Sequence, residues 1–283
     1  MPTGSVSEAV AGLVHGPART GHVAARTRHA VYVATGHPEL PALAVTAPEA
    51  IRVPNAVVLA RPHPDWTGVR AGAPVRFGEG RVELGGARCV AAEGSWAPPR
   101  AQGLLAAPVW AVRRAELERA LPATDAVLDP ADLRAALYAD DTARIIAAGR
   151  ALVGRGPGLT PSGDDILCGA LLARHATGRP VGALAAAVAG AEARTPLVSA
   201  ALLRHAVRGE CVPQAADVIR GLAAEWPLDL APLLAVGHHS GADLARGIAA
   251  GLSCAHAPDT AEPPPGEAGA QPGVPRGCRR PRS

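Results

Sequence analysis

The residues best suited to chemistry are two adjacent carboxylates, Asp164 and Asp165, which directly follow a glycine-rich loop. Residues 154–163 contain four glycines and two prolines, and an apolar run at 166–173 follows the aspartates. Such a loop before a helix exposes backbone N–H groups, which favour an anion together with the helix dipole. The aspartates are candidate catalytic groups, as a general base or as ligands of Mg²⁺. The loop therefore predicts a small-anion site, with these binding candidates: Gly156, Gly158, Thr160, Ser162 and Gly163.

A simpler interpretation of the same loop stays open. The glycines can form a tight turn, and both aspartates can serve only the positive end of the helix dipole. In either case Ser162 is expected to be the N-cap, with Asp165 three residues later completing a capping box.

A second copy of the motif follows 78 residues later. Residues 240–247 repeat Ser, Gly, Asp and Gly at the spacing found in 162–169, so that Asp243 corresponds to Asp165. Gly169 and Gly247 lie two turns into the predicted helices, where glycine is costly unless another backbone approaches closely. We expect the two helices to pack together, with both N-termini at one cleft and the two aspartates within roughly 15 Å. Chance similarity of two capped, alanine-rich helices is the alternative.

Further binding candidates come from this second motif and from the segment between the copies. They are Thr195, Ser199, His238, Ser240 and Gly241, together with Asp243.

Composition indicates a globular protein of one large or two ordinary domains. The chain has 283 residues, of which 48% are hydrophobic and 19% charged, with a net charge of +3. That charge does not favour nucleic-acid binding. No run of residues is apolar over the length that a bilayer requires, and the N-terminus lacks the basic start of a signal peptide. The five cysteines show no metal-ligand or redox spacing, which predicts reduced thiols and a cytoplasmic protein.

The elements that must position the motifs change character near residue 110. Residues 1–111 are predicted to form a β-rich domain, with one strand across 23–33 and a hairpin at 75–84. Residues 112–254 are predicted to form an all-α helical bundle of about seven helices that contains the glycine-rich loop. The tail, 255–283, is rich in Pro, Gly and Arg and is predicted to be disordered. The fold class is therefore α+β, with a β-rich half before a helical half.

The first loop, the Thr195/Ser199 pair and the 237–243 motif, in this order, resemble the AllH family over about residues 150–251. The resemblance implies a subunit of an oxamate carbamoyltransferase, which transfers a carbamoyl group between carbamoyl phosphate and oxamate during anaerobic allantoin use. It also implies FdrA-like and AllG-like partner subunits. His239 and Arg246 depart from the family pattern.

Two other functions fit the same residues. The chain could be a non-catalytic structural or regulatory subunit whose loop binds a partner or an effector anion. It could also be a phosphotransferase that depends on Mg²⁺, although the sequence leaves the use of a metal unknown.

Overall fold

The computed structural model describes residues 1–62, 66, 68–85, 88–103, 110–122, 128–224 and 227–253. The predicted disordered tail at 255–283 therefore lies outside the described residues. None of the helices in the described ranges has the length and apolar character that a membrane span needs.

The first part of the chain forms a closed barrel of eight strands, in the order β1-β5-β4-β3-β2-β6-β7-β8. A short helix, α1 (Ala11–His15), follows the first strand. Most neighbouring strands are antiparallel, whereas β4 with β5 and β1 with β8 are parallel. The strands are β1 (Thr3–Ser7), β2 (Arg19–Arg26), β3 (Ala30–Ala34), β4 (Ala42–Thr46), β5 (Ala56–Leu59), β6 (Pro74–Gly78), β7 (Arg81–Leu84) and β8 (Arg88–Trp96).

Alternating side chains divide the barrel into an interior and an outer face. Val31 and Val45 belong to the large apolar cluster that fills the barrel. Ala44 and Val58, at the alternate positions of their strands, belong to a second cluster that packs against Leu202 of the helical half. This region of the barrel is therefore buried on both faces, and it joins the two halves of the chain.

Two strand predictions had different outcomes. The hairpin at 75–84 is confirmed as β6 and β7. The single strand expected across 23–33 is wrong, because β2 and β3 form an antiparallel pair there. The hydroxyl of Thr27 accepts hydrogen bonds from the N–H groups of His29 and Ala30, which closes a turn that the alternating pattern hides.

The remaining part of the described chain is helical, so the α+β class with a β-rich first half is confirmed, while the bundle arrangement stays a prediction. The helices are α2 (Trp110–Ala120), α3 (Ala131–Tyr138), α4 (Thr142–Leu152), α5 (Ser162–Ala176), α6 (Gly182–Val188), α7 (Leu197–Val207), α8 (Pro213–Ala223), α9 (Ala231–Leu234) and α10 (Ser240–Gly251).

Helices α5 and α10 pack against each other with their backbones in direct contact. A Cβ atom at Gly169 would lie 2.1 Å from the carbonyl oxygen of Leu244, and one at Gly247 would lie 2.0 Å from that of Ile166. Gly251, further along α10, is similarly close to Ala170 of α5, so the helices run parallel. The close approach predicted from the two glycines is confirmed.

The two helix starts are built alike. A Cβ atom at Gly163 would lie 2.0 Å from the carbonyl oxygen of Leu152, and one at Gly241 would lie 1.8 Å from that of Leu233. Each of these leucines lies at or near the end of the preceding helix, α4 or α9. The repeated Ser-Gly motif therefore has a structural basis, since only glycine allows the preceding turn to pack so closely on each helix.

Candidate functional site

A cleft of about 400 Å³ lies between the barrel and the start of α5 and α10. The polar side chains from the helical half that line it are Thr160, Asp165 and Ser240. Those from the barrel half are Thr27, His29, Tyr32, Thr46 and Glu49. The rest of the lining is mostly apolar, so a ligand in the cleft meets only a few polar groups.

Asp165 is the most unusual group in this cleft. Only 6% of the residue is exposed, and its Oδ2 atom has no hydrogen-bond partner among the residues that the structure describes. Burial raises the pKa of Asp165 to about 8, and the negative charges of Asp243 and Asp164 act in the same direction. The hydroxyls of Ser240 and Thr160 lower this pKa in part. The carboxyl is therefore mostly protonated at pH 7 and can exchange a proton near neutrality.

Thr160 and Ser240 connect the two helix starts at the cleft. Their hydroxyl oxygens lie 2.9 Å apart, within hydrogen-bond distance. The predicted meeting of the two helix starts is thus confirmed by this contact, whereas Asp243 is fully buried and is not among the residues that line the cleft, so the placement of both aspartates on it is wrong.

Asp164 faces protein donors instead of the cleft. It is fully buried, and its Oδ1 atom accepts a hydrogen bond of 2.8 Å from the N–H of Gly154. Its Oδ2 atom accepts hydrogen bonds from the hydroxyl of Thr195 and, at 2.6 Å, from that of Ser199. These hydrogen bonds hold the glycine-rich loop and the start of α7 against α5. Asp164 therefore positions these segments.

Asp243 is the buried counterpart of Asp165 in α10. Its Oδ1 atom accepts a hydrogen bond of 2.9 Å from Arg246, which also donates to the carbonyl of Pro122 at 3.1 Å. Arg246 therefore offsets a buried charge beside the site, and this gives a physical reason for an arginine at that position.

The backbone donors at the start of α5 are largely used within the chain. The N–H of Gly163 donates to the carbonyl of Arg155 at 2.9 Å, and those of Asp164 and Asp165 donate to Pro161 at 2.9 and 3.2 Å. These three donors are therefore not directed at a ligand.

The predicted N-caps at Ser162 and Ser240 are wrong. Each serine is the first residue of its helix, and Pro161 and His239 hold the cap positions without a side-chain hydrogen bond. Backbone carbonyls accept the N–H groups of the first turn at both helix starts, so these groups need no serine side chain as a cap. The Ser240 hydroxyl can therefore face the cleft.

Four other candidates are not among the residues that line the cleft. Gly156 and Gly158 are exposed and have positive φ angles of 113° and 94°. Gly241 is packed against the preceding turn. His238 is exposed, and its ring centroid lies 4.2 Å from that of His239.

The barrel contributions to the cleft were missed by the sequence prediction. Thr46 is 1% exposed, and its hydroxyl has no partner among the described residues. Burial also raises the pKa of Tyr32. One signal could have identified Thr46, since it directly follows a continuous apolar run at 42–45 that is typical of a strand buried on both faces.

A smaller pocket of about 40 Å³ lies behind Asp165 and is lined in part by Cys168, Glu210 and Cys211. Burial raises the pKa of the Cys168 thiol well above its ordinary value and that of Cys211 to about 12. Cys168 is therefore a small core residue, and its raised pKa disfavours the thiolate that a nucleophile needs. Across the described ranges, no three His, Cys, Asp or Glu side chains form a group that could hold a metal ion.

Comparison with known protein families gives a match on the helical half of the chain. No curated protein and no solved structure shows significant similarity to the chain. The matched segment covers the end of α4, both Ser-Gly helix starts and the residues through Leu252. The resemblance seen in the motifs is thereby confirmed, because residues 152–252 match the family model of oxamate carbamoyltransferase subunit AllH.

Proposed function

We propose that the chain is a subunit of an oxamate carbamoyltransferase-type complex and that Asp165 is the group that transfers the proton in its reaction. The observation that carries this proposal is a nearly buried carboxyl of raised pKa, placed at the cleft by the segment that matches the AllH model. A catalytic acid or base works best when its pKa lies close to the working pH.

Carbamoyl transfer between carbamoyl phosphate and oxamate needs a catalytic acid or base that can exchange a proton with the reacting nitrogen. The amide nitrogen of oxamate attacks the carbamoyl carbon of carbamoyl phosphate, a C–N bond forms, and the C–O bond to phosphate breaks. The nitrogen loses one proton, which the ionised form of Asp165 accepts. In the reverse direction, phosphate attacks the terminal carbamoyl carbon of oxalurate, and protonated Asp165 donates its proton to the departing nitrogen of oxamate.

The neighbouring residues have supporting roles in this proposal. Thr160 and Ser240 contact the substrate from the helix starts, because both line the cleft with Asp165. Asp164 positions the helix, since its oxygens are held by the loop and by α7.

Partner subunits supply the cationic groups that are missing from the described lining of this cleft. Among the described residues that line it, the only basic side chain is His29, which lies 3.4 Å from Glu49. The phosphate and carboxylate groups of the substrates require cationic or metal partners. We therefore assign these contacts to the FdrA-like and AllG-like subunits, which would close the cleft from outside.

Reconstitution with the candidate partner subunits, followed by an assay of oxalurate phosphorolysis, tests the proposal. The complete mixture should release carbamoyl phosphate, and Asp165→Asn should lower kcat by about 10²–10⁴-fold, the usual contribution of acid–base catalysis. Asp132→Asn, which changes an exposed aspartate at the start of α3, is the matched control. Full activity without this chain would contradict the proposal, and full activity of Asp165→Asn would contradict the role of that carboxyl.

A further inference from the structure

The barrel presents one tyrosine, Tyr32, to the cleft. Val31 and Val33, its neighbours on β3, belong to the apolar cluster that fills the barrel, so Tyr32 lies on the outer face of the strand. Its ring packs against the second apolar cluster, which contains Ala44 and contacts Leu202 of the helical half. Tyr32 is therefore held between the two halves of the chain, on the barrel side of the cleft.

Small residues on the adjoining strands leave room for the Tyr32 ring. Tyr32 pairs with Ala25 of β2 on one side and with Ala44 of β4 on the other. Residues directly opposite each other on neighbouring strands point to the same face of a sheet, so a methyl group flanks the ring on each side. The position of the ring is thus fixed by packing, although the residue as a whole is only partly buried.

The hydroxyl of Tyr32 is accessible and forms no bond to the protein. It has no hydrogen-bond partner among the described residues, and it is not one of the unpaired polar atoms that are closed off from solvent. Burial of the ring raises the pKa of Tyr32, so the phenol stays protonated at neutral pH and can donate a hydrogen bond. Tyrosine hydroxyls in partly apolar surroundings usually have a partner, and here a molecule in the cleft can provide it.

The other hydroxyls of the cleft are engaged within the chain or closed off. Those of Thr160 and Ser240 lie 2.9 Å apart and pair with each other. The hydroxyl of Thr27 accepts hydrogen bonds from two N–H groups of its own turn. The hydroxyl of Thr46 is not accessible to solvent. Among the described residues that line the cleft, Tyr32 is therefore the one whose hydroxyl can donate to a bound molecule without losing a bond to the protein.

We infer that Tyr32 donates a hydrogen bond to the carbamoyl oxygen during the transfer and stabilises the negative charge that develops on it. This inference rests on the proposed function, because it assigns a catalytic donor to that reaction. It also gives the barrel, which lies outside the segment that matches the family model, a direct part in the chemistry.

The transfer step places negative charge on the carbamoyl oxygen. When the amide nitrogen of oxamate forms the C–N bond, one electron pair of the carbamoyl C=O bond moves onto its oxygen. That pair re-forms the C=O bond as the C–O bond to phosphate breaks, phosphate leaves with the bonding pair, and the proton of the nitrogen passes to Asp165. Tyr32 keeps its proton throughout and donates a hydrogen bond that is stronger to the oxyanion than to the neutral carbonyl.

Tyr32→Phe tests this role, because it removes the hydroxyl and leaves the ring. In the reconstituted complex it should lower kcat for oxalurate phosphorolysis by about 10²–10³-fold, the usual effect of losing one oxyanion donor. The KM for oxalurate should stay within about threefold, since the bond strengthens mainly in the transition state. The Tm should not fall, because this hydroxyl has no partner among the described residues.

Tyr138→Phe is the matched control for this substitution. Tyr138 is the other of the two tyrosines in the chain, and it is 54% exposed on α3, away from the residues that line the cleft. This variant should change neither kcat nor Tm.

An NMR measurement tests the contact without turnover. With ¹³C at the Cζ atom of tyrosine in this chain alone, the two tyrosines give two signals, which the two phenylalanine variants assign. Oxalurate added at millimolar concentration to the reconstituted complex, without phosphate, should shift the Tyr32 signal and leave the Tyr138 signal in place.

Two results would overturn the inference. They are a kcat of Tyr32→Phe within about threefold of the parent value, and a Tyr32 signal that oxalurate leaves unchanged. The two proposals can fail separately. An active complex in which Tyr32→Phe equals the parent supports the proposed function and contradicts the inference. An inactive complex whose Tyr32 signal responds to oxalurate supports the hydrogen bond from Tyr32 and contradicts the proposed function.

Discussion

Replacing Asp165 by Asn should make the protein more stable at neutral pH and should remove part of its pH dependence. The pKa of this carboxyl is about 8 in the folded chain, against 3.8 for an ordinary aspartate. Because the folded pKa is the higher one, folding takes up a proton between these two values. The stability contributed by Asp165 is therefore fully present below pH 3.8 and is lost as pH rises towards 8.

The size of this loss of stability follows from the number of pH units between 3.8, the pKa of an ordinary aspartate, and the working pH. The loss is about 1.4 kcal/mol per pH unit for one proton, which amounts to about 4 kcal/mol at pH 7. Asparagine has the shape and polarity of the protonated carboxyl and does not ionise, so the variant avoids this loss. The free energy of unfolding of Asp165→Asn should exceed that of the parent chain only slightly at pH 4, and this difference should grow steadily up to pH 8.

Urea unfolding at pH 5, 6, 7 and 8 measures this difference in the free energy of unfolding. Asp132→Asn, at an exposed position in α3, should show a difference that does not change over the same range. If the difference between Asp165→Asn and the parent stays constant from pH 5 to 8, the Asp165 carboxyl is ionised in both the folded and the unfolded state and the expected stabilisation is wrong.

Three further substitutions test the packing and the charges around the site. Gly169→Ala should lower the free energy of unfolding by about 3 kcal/mol, since the new Cβ meets the α10 backbone, while Gly182→Ala, with open space around it, should be tolerated in the same urea assay. Arg246→Met should cost about 3–5 kcal/mol at pH 7 because it leaves Asp243 buried without its cation, and a change below 1 kcal/mol would show that this pair contributes little. Gly158→Val should cost about 1–2 kcal/mol because of its φ of 94°, and an unchanged unfolding curve would mean that the loop adapts to the side chain.

The local elements of the fold could be predicted from the sequence, and their long-range pairing could not. The hairpin at 75–84 follows from alternation around Gly78 and Gly80, because both signals lie within ten residues. Closure of the barrel depends on β1 pairing with β5 and β8, strands that are more than 50 residues away. Alternation along one strand carries no information on which strand lies beside it.

Some residues of the candidate site could also be predicted from the sequence, and others could not. Asp165 and Ser240 were identified because a glycine-rich motif and its repeat surround them, and Gly169 and Gly247 predicted that the two helices meet. The exclusion of Gly163 and Asp164 from the cleft was not predictable, since it depends on which carbonyls and hydroxyls the fold places beside them. Thr46 was missed because no motif surrounds it and because its place in the lining of the cleft depends on how the barrel packs against the helices.

The proposed role of Asp165 depends most directly on where its carboxyl ionises. Its side-chain carboxyl ¹³C chemical shift can be followed by NMR from pH 4 to 9, with Asp165→Asn used to assign the signal. Burial should place the midpoint about four units above that of an ordinary aspartate, near pH 8. A midpoint near pH 4 would contradict the proposed role of Asp165, because a carboxyl that is ionised at neutral pH could not protonate a departing nitrogen.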